Sequence, residues 1–492
     1  MSYMERESWS SNLGFILASV GSAIGLGNIW RFGYMVYTNG GGAFLIPYIV
    51  ALLCVGIPLM ILEFAIGHYT KKSAPLALEK LHKGSEWTGW FAVISGFIIT
   101  SYYVVIIAWC LYYLIILVIY GYPSDPNAYF FHNILQISSG VEDIGGVSYG
   151  ILVSTLAVWG IVALILSAGI KNGLEKANKI MIPFLLFLII LLVLNALTLP
   201  GALTGIEWYL TPDFSALFNY NVWLSAFSQI FFSLSLGFGI LIAYASYLPK
   251  KSDLTINAVT VSLLNCGFSF LAGFAVFGTL GYMSYTSGIP LDKAVSEGIG
   301  LAFVTFPKAL SLLPFASRLF GIVFFLALVF AGISSAVSIV EASVSAIIDK
   351  FSLSRKKALL AVLALFIIIS PIFTTGAGLY YLDIIDHFAS GYLLPIAAIL
   401  EIIIAIWLFG GDKLREHVNK LSEIKLGVWW KYLAGVVSPI ILTAVVFLDA
   451  SNVLTSGYGG YKTTYVIFGA LIIPLAFVVS VILQKMKTIK GW

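Results

Sequence analysis

Charge is what this 492-residue chain has least of: Lys, Arg, Asp and Glu together make up 10% of it, against about 25% in soluble domains. A soluble protein of this length would need roughly three domains, each with a polar surface, and so little charge cannot cover them. Cysteine is scarce as well. Cys54, Cys110 and Cys266 all lie in apolar runs, so there is no disulfide framework and no Cys–His metal pattern. The five histidines, His68, His82, His132, His387 and His417, are scattered, which argues against zinc. There is no H-E-x-x-H, no phosphate-binding loop and no Ser–His arrangement on matching segments, so nothing points to an enzyme. The net charge of +4 gives no basis for nucleic-acid binding.

What the chain does have is hydrophobic length. Apolar residues make up 60%, and the mean hydropathy is +0.98. A membrane-spanning helix needs about 20 mostly apolar residues. Twelve segments qualify: 12–37, 41–69, 88–121, 148–168, 175–197, 221–248, 254–284, 318–349, 356–376, 379–408, 430–449 and 463–484. The expected fold is an all-α polytopic membrane protein forming one transmembrane domain over residues 1–492. The polar start MSYMERESW, leading into a long segment with Asn28 and Arg31, does not read as a cleavable signal.

Orientation follows from the basic residues of the loops. Twenty-two Lys and Arg fall on the side of the N-terminus and four (Lys293, Lys308, Arg318 and Lys462) on the other, with Arg31 inside the first span. The expectation is a multi-pass plasma-membrane protein with both ends cytoplasmic, whose lipid contact is the bilayer itself and which shows no obligate protein partner. Of the connections, 122–147 reads as irregular, 286–317 as a short hairpin over an outer vestibule, and 409–429 as a charged cytoplasmic helix.

Two segments break the helical pattern. The first span reads GSAIGLGNIWRF over 21–32 and the sixth QIFFSLSLGFG over 229–239. Each interior glycine costs a helix about 1 kcal/mol against alanine. Glycines can also serve close helix packing alone. Two such breaks at corresponding places in two five-helix halves, 12–197 and 221–408, with 430–484 as two peripheral helices, favour the other reading: a transporter's binding site. Unwound carbonyls there can ligate a cation, and half-helix N-termini can present N–H groups to an anion.

The segments AIGLGNIWRF, NGGGAFLIPY, QIFFSLSLGFG, SLLNCGFSFLAGF and AGISSAVSIVEA, in order along nearly the whole chain, resemble the neurotransmitter:sodium symporter family in its prokaryotic amino-acid branch. The resemblance implies inverted five-helix repeats with broken helices 1 and 6, and sodium-driven uptake of a small apolar amino acid by alternating access. A substrate-binding receptor or an ion channel on the same scaffold is the competing class. Two sodium ions are implied. The first site would comprise the Ala23 carbonyl, Asn28, Ser233, Asn265 and the substrate carboxylate; the second would comprise the Gly21, Ile24 and Ala331 carbonyls with Ser334 and Ser335. The alternative for each serine is a bond to its own helix.

For the substrate, the resemblance implies backbone N–H groups near Leu26 and Gly27 with the Tyr103 hydroxyl for a carboxylate. Carbonyls around Ala23, Phe232 and Ser235 would take an ammonium, with Ser22, Ile99, Ser233, Phe238, Ser335 and Ile339 completing the cavity. Monoamine-carrying relatives place an aspartate where this chain has Gly25, so the substrate must bring its own carboxylate. Ser22 stands where some relatives have asparagine, which bears on side-chain selectivity. The resemblance also points to a possible chloride site. Chloride-independent relatives carry an acid four residues after the sodium-binding asparagine, where this chain has Ser269, and Tyr48, Gln229 and Ser233 complete the chloride pattern. A water-filled cluster of those residues, or compensation by Glu63, is the alternative. Arg31 with Asp386 would form an outer gate above Tyr103 and Phe232. Arg6 with Asp349, beside Trp9 and Tyr247, would form an inner one. Glu63 is expected to accept bonds from the unwound backbone of the second break, and Glu341 has no role legible in the sequence.

Overall fold

The computed structural model describes residues 7–288, 290–291 and 299–488. Among the described residues it is all helical, with two isolated β-bridges and no strand. Ten helices are long and apolar enough to cross a membrane: α2 (Gly42–Thr70), α3 (Glu86–Ile119), α4 (Tyr149–Ser167), α5 (Ile170–Leu197), α7 (Leu254–Ser287), α8 (Ser317–Phe351), α9 (Arg355–Thr374), α10 (Gly378–Leu408), α11 (Val428–Ser456) and α12 (Thr463–Lys485). The other two expected spans are broken. α1a (Asn12–Ala23) and α1b (Leu26–Thr38) make one span bent by 71°. α6a (Tyr220–Ser233) and α6b (Ile240–Ser246), of 14 and 7 residues, are each too short to cross alone.

Local chemistry explains the ends and breaks. The Ser11 hydroxyl accepts from Gly14 N to cap α1a, Asn219 caps α6a, and Asp253 caps α7 through Ile256 N at 2.8 Å. The chain between α6a and α6b passes through left-handed backbone at Ser235 (φ 56°), Gly237 (78°) and Gly239 (73°), which ends one helix and starts the next. In lipid such a break survives only where other groups meet the freed N–H and C=O.

Burial separates core from periphery. Of the most apolar stretch of each helix, 83% is buried in α8 but only 28% in α11 and 22% in α12. α3 runs along α8, where a Cβ on Gly332 would come within 2.5 Å of the Ile107 side chain and Tyr113 stacks on Phe325 at 4.5 Å. Small residues thus let backbones approach where lipid offers no hydrophobic drive for helix association. At the N-terminal side, α2 meets α6b the same way: a Cβ on Gly67 would lie 2.1 Å from the Ile242 carbonyl oxygen.

The loop 122–147, expected to be irregular, holds a helical stretch over 126–134 capped by Asp125 and is irregular around it, and Gly376 N donates to Gly146 O at 3.0 Å to tie it to the α9–α10 corner. Of the expected hairpin over 286–317, only a helix at Leu301–Ser311 can be described, because 289 and 292–298 lie outside the described residues. The expected charged helix within 409–429 spans Gly411–Leu421.

Gly67→Ala should therefore destabilise the protein by about 1–3 kcal/mol, the usual scale of overpacking. Gly267→Ala, whose added methyl meets nothing within 4 Å, should not. Thermal unfolding in detergent, followed by fluorescence-detected chromatography, measures both.

Candidate functional site

The two breaks face each other at the centre of the bundle and are stitched together by serines. The carbonyl of Ser22, at the end of α1a, accepts from Ser235 Oγ of the second break at 3.0 Å and from Ser335 Oγ of α8 at 3.0 Å. Ser335 Oγ also lies 3.4 Å from the Gly21 and Ile24 carbonyls. Ser334 Oγ turns onto Ala331 O of its own helix at 2.9 Å. Of the five oxygens assigned to the second ion by resemblance, Ser335 Oγ and the Gly21 and Ile24 carbonyls thus meet where α8 crosses the first break, while Ser334 bonds its own helix.

A second polar cluster lies between α1b, α6a and α7. The amide nitrogen of Asn28 donates to Asn265 Oδ1 (2.8 Å), Ser269 Oγ (2.8 Å) and Ser233 Oγ (3.1 Å), and Asn265 Nδ2 reaches Ser233 Oγ at 2.8 Å. The expected ligand atom, Asn28 Oδ1, accepts instead from Gly25 N at 2.9 Å. The physical reason is local. Asn265 Oδ1 can only accept and the two hydroxyls can accept too, so a donor facing them makes bonds where an amide oxygen would meet the Asn265 lone pairs. All four side chains are essentially buried.

Next to this cluster the Tyr48 hydroxyl, which lies beside Cys266 and Ser269, and both amide atoms of Gln229 are buried without a hydrogen-bond partner. Unsatisfied donors of this kind, on side chains at most 4% exposed, fit a buried anion that accepts from them.

The carboxylate side of the cavity is compact. Leu26 N lies 3.3 Å from the Tyr103 hydroxyl. A Cβ on Gly25 would stand 3.0 Å from both that hydroxyl and Ser335 Oγ, so any side chain there would intrude on it. Phe232 O, named for the ammonium, already accepts from Ser235 N at 3.1 Å, and its second lone pair remains. Ile99, Phe238 and Ile339 are buried together, and a Cβ on Gly96 would meet Ile339 at 3.1 Å and Phe238 at 3.4 Å.

The gate residues are placed differently from the simplest expectation. Arg31 and Asp386 line one cavity of about 220 Å³ with Phe232, His387 and Asp449. The Arg31 guanidinium lies over the Phe232 ring at 4.7 Å, while Asp386 Oδ1 accepts from Tyr102 (2.6 Å) and Ser390 (2.7 Å). On the N-terminal side Asp349 accepts from Ser73 N and Oγ at 2.7 Å, and Arg6 lies outside the described residues. Trp9 Nε1 donates to Tyr244 O at 2.8 Å and Trp9 N to Tyr247 O at 3.3 Å. Glu341 acquires a clear place: it accepts from the Tyr247 hydroxyl at 3.0 Å and pairs with Arg355 at 2.5 Å, closing α8 against α6b and the start of α9. Fourteen residues separate the pair, and no sequence pattern links them.

Glu63 of α2 accepts from Gly237 N at 2.8 Å, which satisfies one N–H freed by the second break. Glu401 of α10 lies beside it, and Glu63 Oε2 and Glu401 Oε1 have no hydrogen-bond partner. Glu401 was legible only as an acid inside the span 379–408, and its pairing with Glu63 was not.

The comparisons with known proteins bear on what so gathered a site does. The sodium:neurotransmitter symporter family matches residues 6–123 and 118–490. The chain belongs to this family. It is a membrane transporter and not an enzyme. Among its relatives, a sodium- and chloride-dependent taurine transporter from dog is 32% identical over 89% of this chain and 77% of its own. The rat sodium- and chloride-dependent GABA transporter 2 is 30% identical over 99% and 88%, and the human one 31% over 90% and 79%. These relatives are mammalian, so the likeness establishes the family and not its prokaryotic amino-acid branch.

Glu63→Leu in this transporter should leave Gly237 N–H unpaired and cost about 1–3 kcal/mol. Glu401→Gln, which offers Glu63 an N–H donor, should be tolerated. The melting temperatures of the purified variants separate the two outcomes.

Proposed function

We propose that the protein is a Na⁺-coupled symporter of the plasma membrane, with both ends cytoplasmic, that takes up a small apolar amino acid by alternating access. The observation that carries this reading is the convergence of α8, Ser235 and the two breaks on the Ser22 carbonyl, beside Gly25, which offers no charge to a substrate amine. Residues 12–197 and 221–408 would be the two inverted repeats, rocking around that point.

In this reading the first sodium ion displaces the Asn28 amide nitrogen from among the Asn265, Ser233 and Ser269 oxygens. A half-turn of that amide brings Asn28 Oδ1 to the ion, and Ala23 O and the substrate carboxylate join it. The second ion takes Gly21, Ile24 and Ala331 carbonyls with Ser334 and Ser335. Each Na⁺ moving down a tenfold gradient and 100 mV releases about 3.7 kcal/mol. Two ions therefore support roughly a 10⁵-fold accumulation of a zwitterion.

Substrate class is read from the wall. Taurine and GABA carry the amine at the far end from the acid. With the acid on Leu26 N and Tyr103, that amine would be driven toward Ile99, Phe238 and Ile339. An α-amino acid keeps both charges at the breaks and gives the apolar wall an aliphatic side chain. This favours alanine, valine or leucine, and with them the amino-acid branch of the family, over the substrates in the relatives' names. Uptake into proteoliposomes should require an inward Na⁺ gradient and be competed by leucine more than by GABA or taurine; equal uptake in K⁺ buffer would defeat symport and favour a receptor or channel. Asn28→Ala and Ser335→Ala should each weaken Na⁺-dependent binding, and Ser22→Ala should mainly change substrate preference.

Chloride is proposed to bind Tyr48, Gln229, Ser233 and Ser269, of which the Tyr48 hydroxyl and the Gln229 amide have no hydrogen-bond partner. A bound cation in low dielectric favours a compensating anion nearby. Replacing chloride with gluconate should weaken substrate binding, and Ser269→Glu should restore it. Unchanged binding in protein verified free of halide would count against the anion.

A further inference from the structure

We infer that Asn178 and Glu175, on the face of α5 that meets α1a, form a transit site for Na⁺ between the second ion cluster and the N-terminal face of the protein. The inference rests on the symport reading above and adds the path by which that ion leaves.

Asn178 is fully buried. Its amide nitrogen donates to Leu174 O at 3.0 Å, a bond to its own helix, while Oδ1 has no hydrogen-bond partner. That oxygen is pressed against α1a, since a Cβ on Gly21 would lie 2.1 Å from it. Gly21 is also the residue whose carbonyl meets Ser335 Oγ at 3.4 Å. An unpaired amide oxygen in the membrane interior is costly, and an apolar side chain of similar size would fill the same space without that cost. The oxygen is placed where it could take over from the Gly21 carbonyl as an ion withdraws from the cluster.

One turn toward the N-terminal face stands Glu175, whose carboxylate repeats the arrangement with a full charge. A Cβ on Gly14 would lie 2.0 Å from its Oε1. The carboxylate accepts from Ser10 N (2.7 Å), Ser10 Oγ (2.5 Å) and Ser11 Oγ (3.1 Å) and pairs with Lys179 at 2.6 Å. Three of these four contacts come from the residues that start α1a. Gly14 and Gly21 therefore present bare backbone to two α5 oxygens in line, from the ion cluster toward the surface.

The movable part is α1a, a 12-residue segment joined to α1b through the 71° bend. When its start swings from α5, Glu175 loses its serine donors and keeps only Lys179, a partly exposed side chain that an incoming cation can displace, while Asn178 already has a free lone pair. A neutral amide deep inside holds an ion weakly enough to release it, and a carboxylate at the mouth draws it outward. Sodium, a hard cation, suits both, as oxygen ligands suit Ca²⁺ and Mg²⁺.

The test measures the Na⁺ dependence of substrate exchange from each face of the full chain in oriented proteoliposomes. Asn178→Leu should raise the half-saturating Na⁺ concentration at the N-terminal face on the order of tenfold, the scale of losing a supporting oxygen. It should leave the opposite face and equilibrium Na⁺-dependent binding unchanged. Asn178→Asp should lower the value at the N-terminal face, and Asn178→Ser, which folds around a smaller group but cannot reach, should behave like the leucine variant. Equal shifts at both faces, or none at either, would overturn the transit site. Ser335→Ala serves as the separate check: if it leaves Na⁺ dependence intact at both faces, the second ion cluster itself is wrong, whatever Asn178 does.

Discussion

In lipid every backbone N–H and C=O needs a partner inside the protein, and the two broken helices are where this chain meets that requirement with side chains instead of helical hydrogen bonds. Most other features of the centre follow from it. Ser235 and Ser335 reach the Ser22 carbonyl, Asn28 Oδ1 takes Gly25 N, the Tyr103 hydroxyl stands at Leu26 N, and Glu63 takes Gly237 N. Ser335, Tyr103 and Glu63 come from three different helices, so the breaks anchor α8, α3 and α2 around one point. The same groups are the ones that an ion or a carboxylate would engage.

The two sides of the centre are sealed unequally. On the N-terminal side Trp9 bonds the Tyr244 and Tyr247 carbonyls, while Glu341 joins Tyr247 to Arg355 through charge-assisted bonds, and removing one partner of such a pair is expensive. On the opposite side Arg31 rests on the Phe232 ring and Asp386 is held by Tyr102 and Ser390, leaving a cavity between them. A cation over an aromatic ring is a weaker closure than a direct buried pair. The arrangement is that of a protein firmly shut on one face and loosely covered on the other.

Close helix packing carries the rest. Gly67 against α6b, Gly332 against α3, and Gly14 and Gly21 against α5 leave room for neighbouring backbone or polar atoms that any side chain would displace. At Gly14 and Gly21 the space is taken by the oxygens of Glu175 and Asn178, so the feature that permits packing also admits polar groups to the interface.

How much of this was legible beforehand depends on range. The spans follow from roughly 20 apolar residues in a row, and the observed helix limits stay within a few residues of those expected, except where α11 runs on to Ser456 and α5 begins at Ile170. The breaks follow from three glycines in seven residues and from the run after Ser233, and the donor types around them were visible as Asn, Ser and Tyr in apolar surroundings. Which atoms meet was not. That Asn28 turns its nitrogen into the cluster, that Arg31 lies on Phe232 beside the cavity it shares with Asp386, that Glu341 finds Arg355, and that Asn178 presses on Gly21 all join residues from different helices. Helix formation is set by nearest neighbours in the chain and by the solvent around them, so the sequence by itself determined the spans and their weak points. The meeting of groups up to hundreds of residues apart depends on how rigid helices pack, and only the tertiary structure decided it.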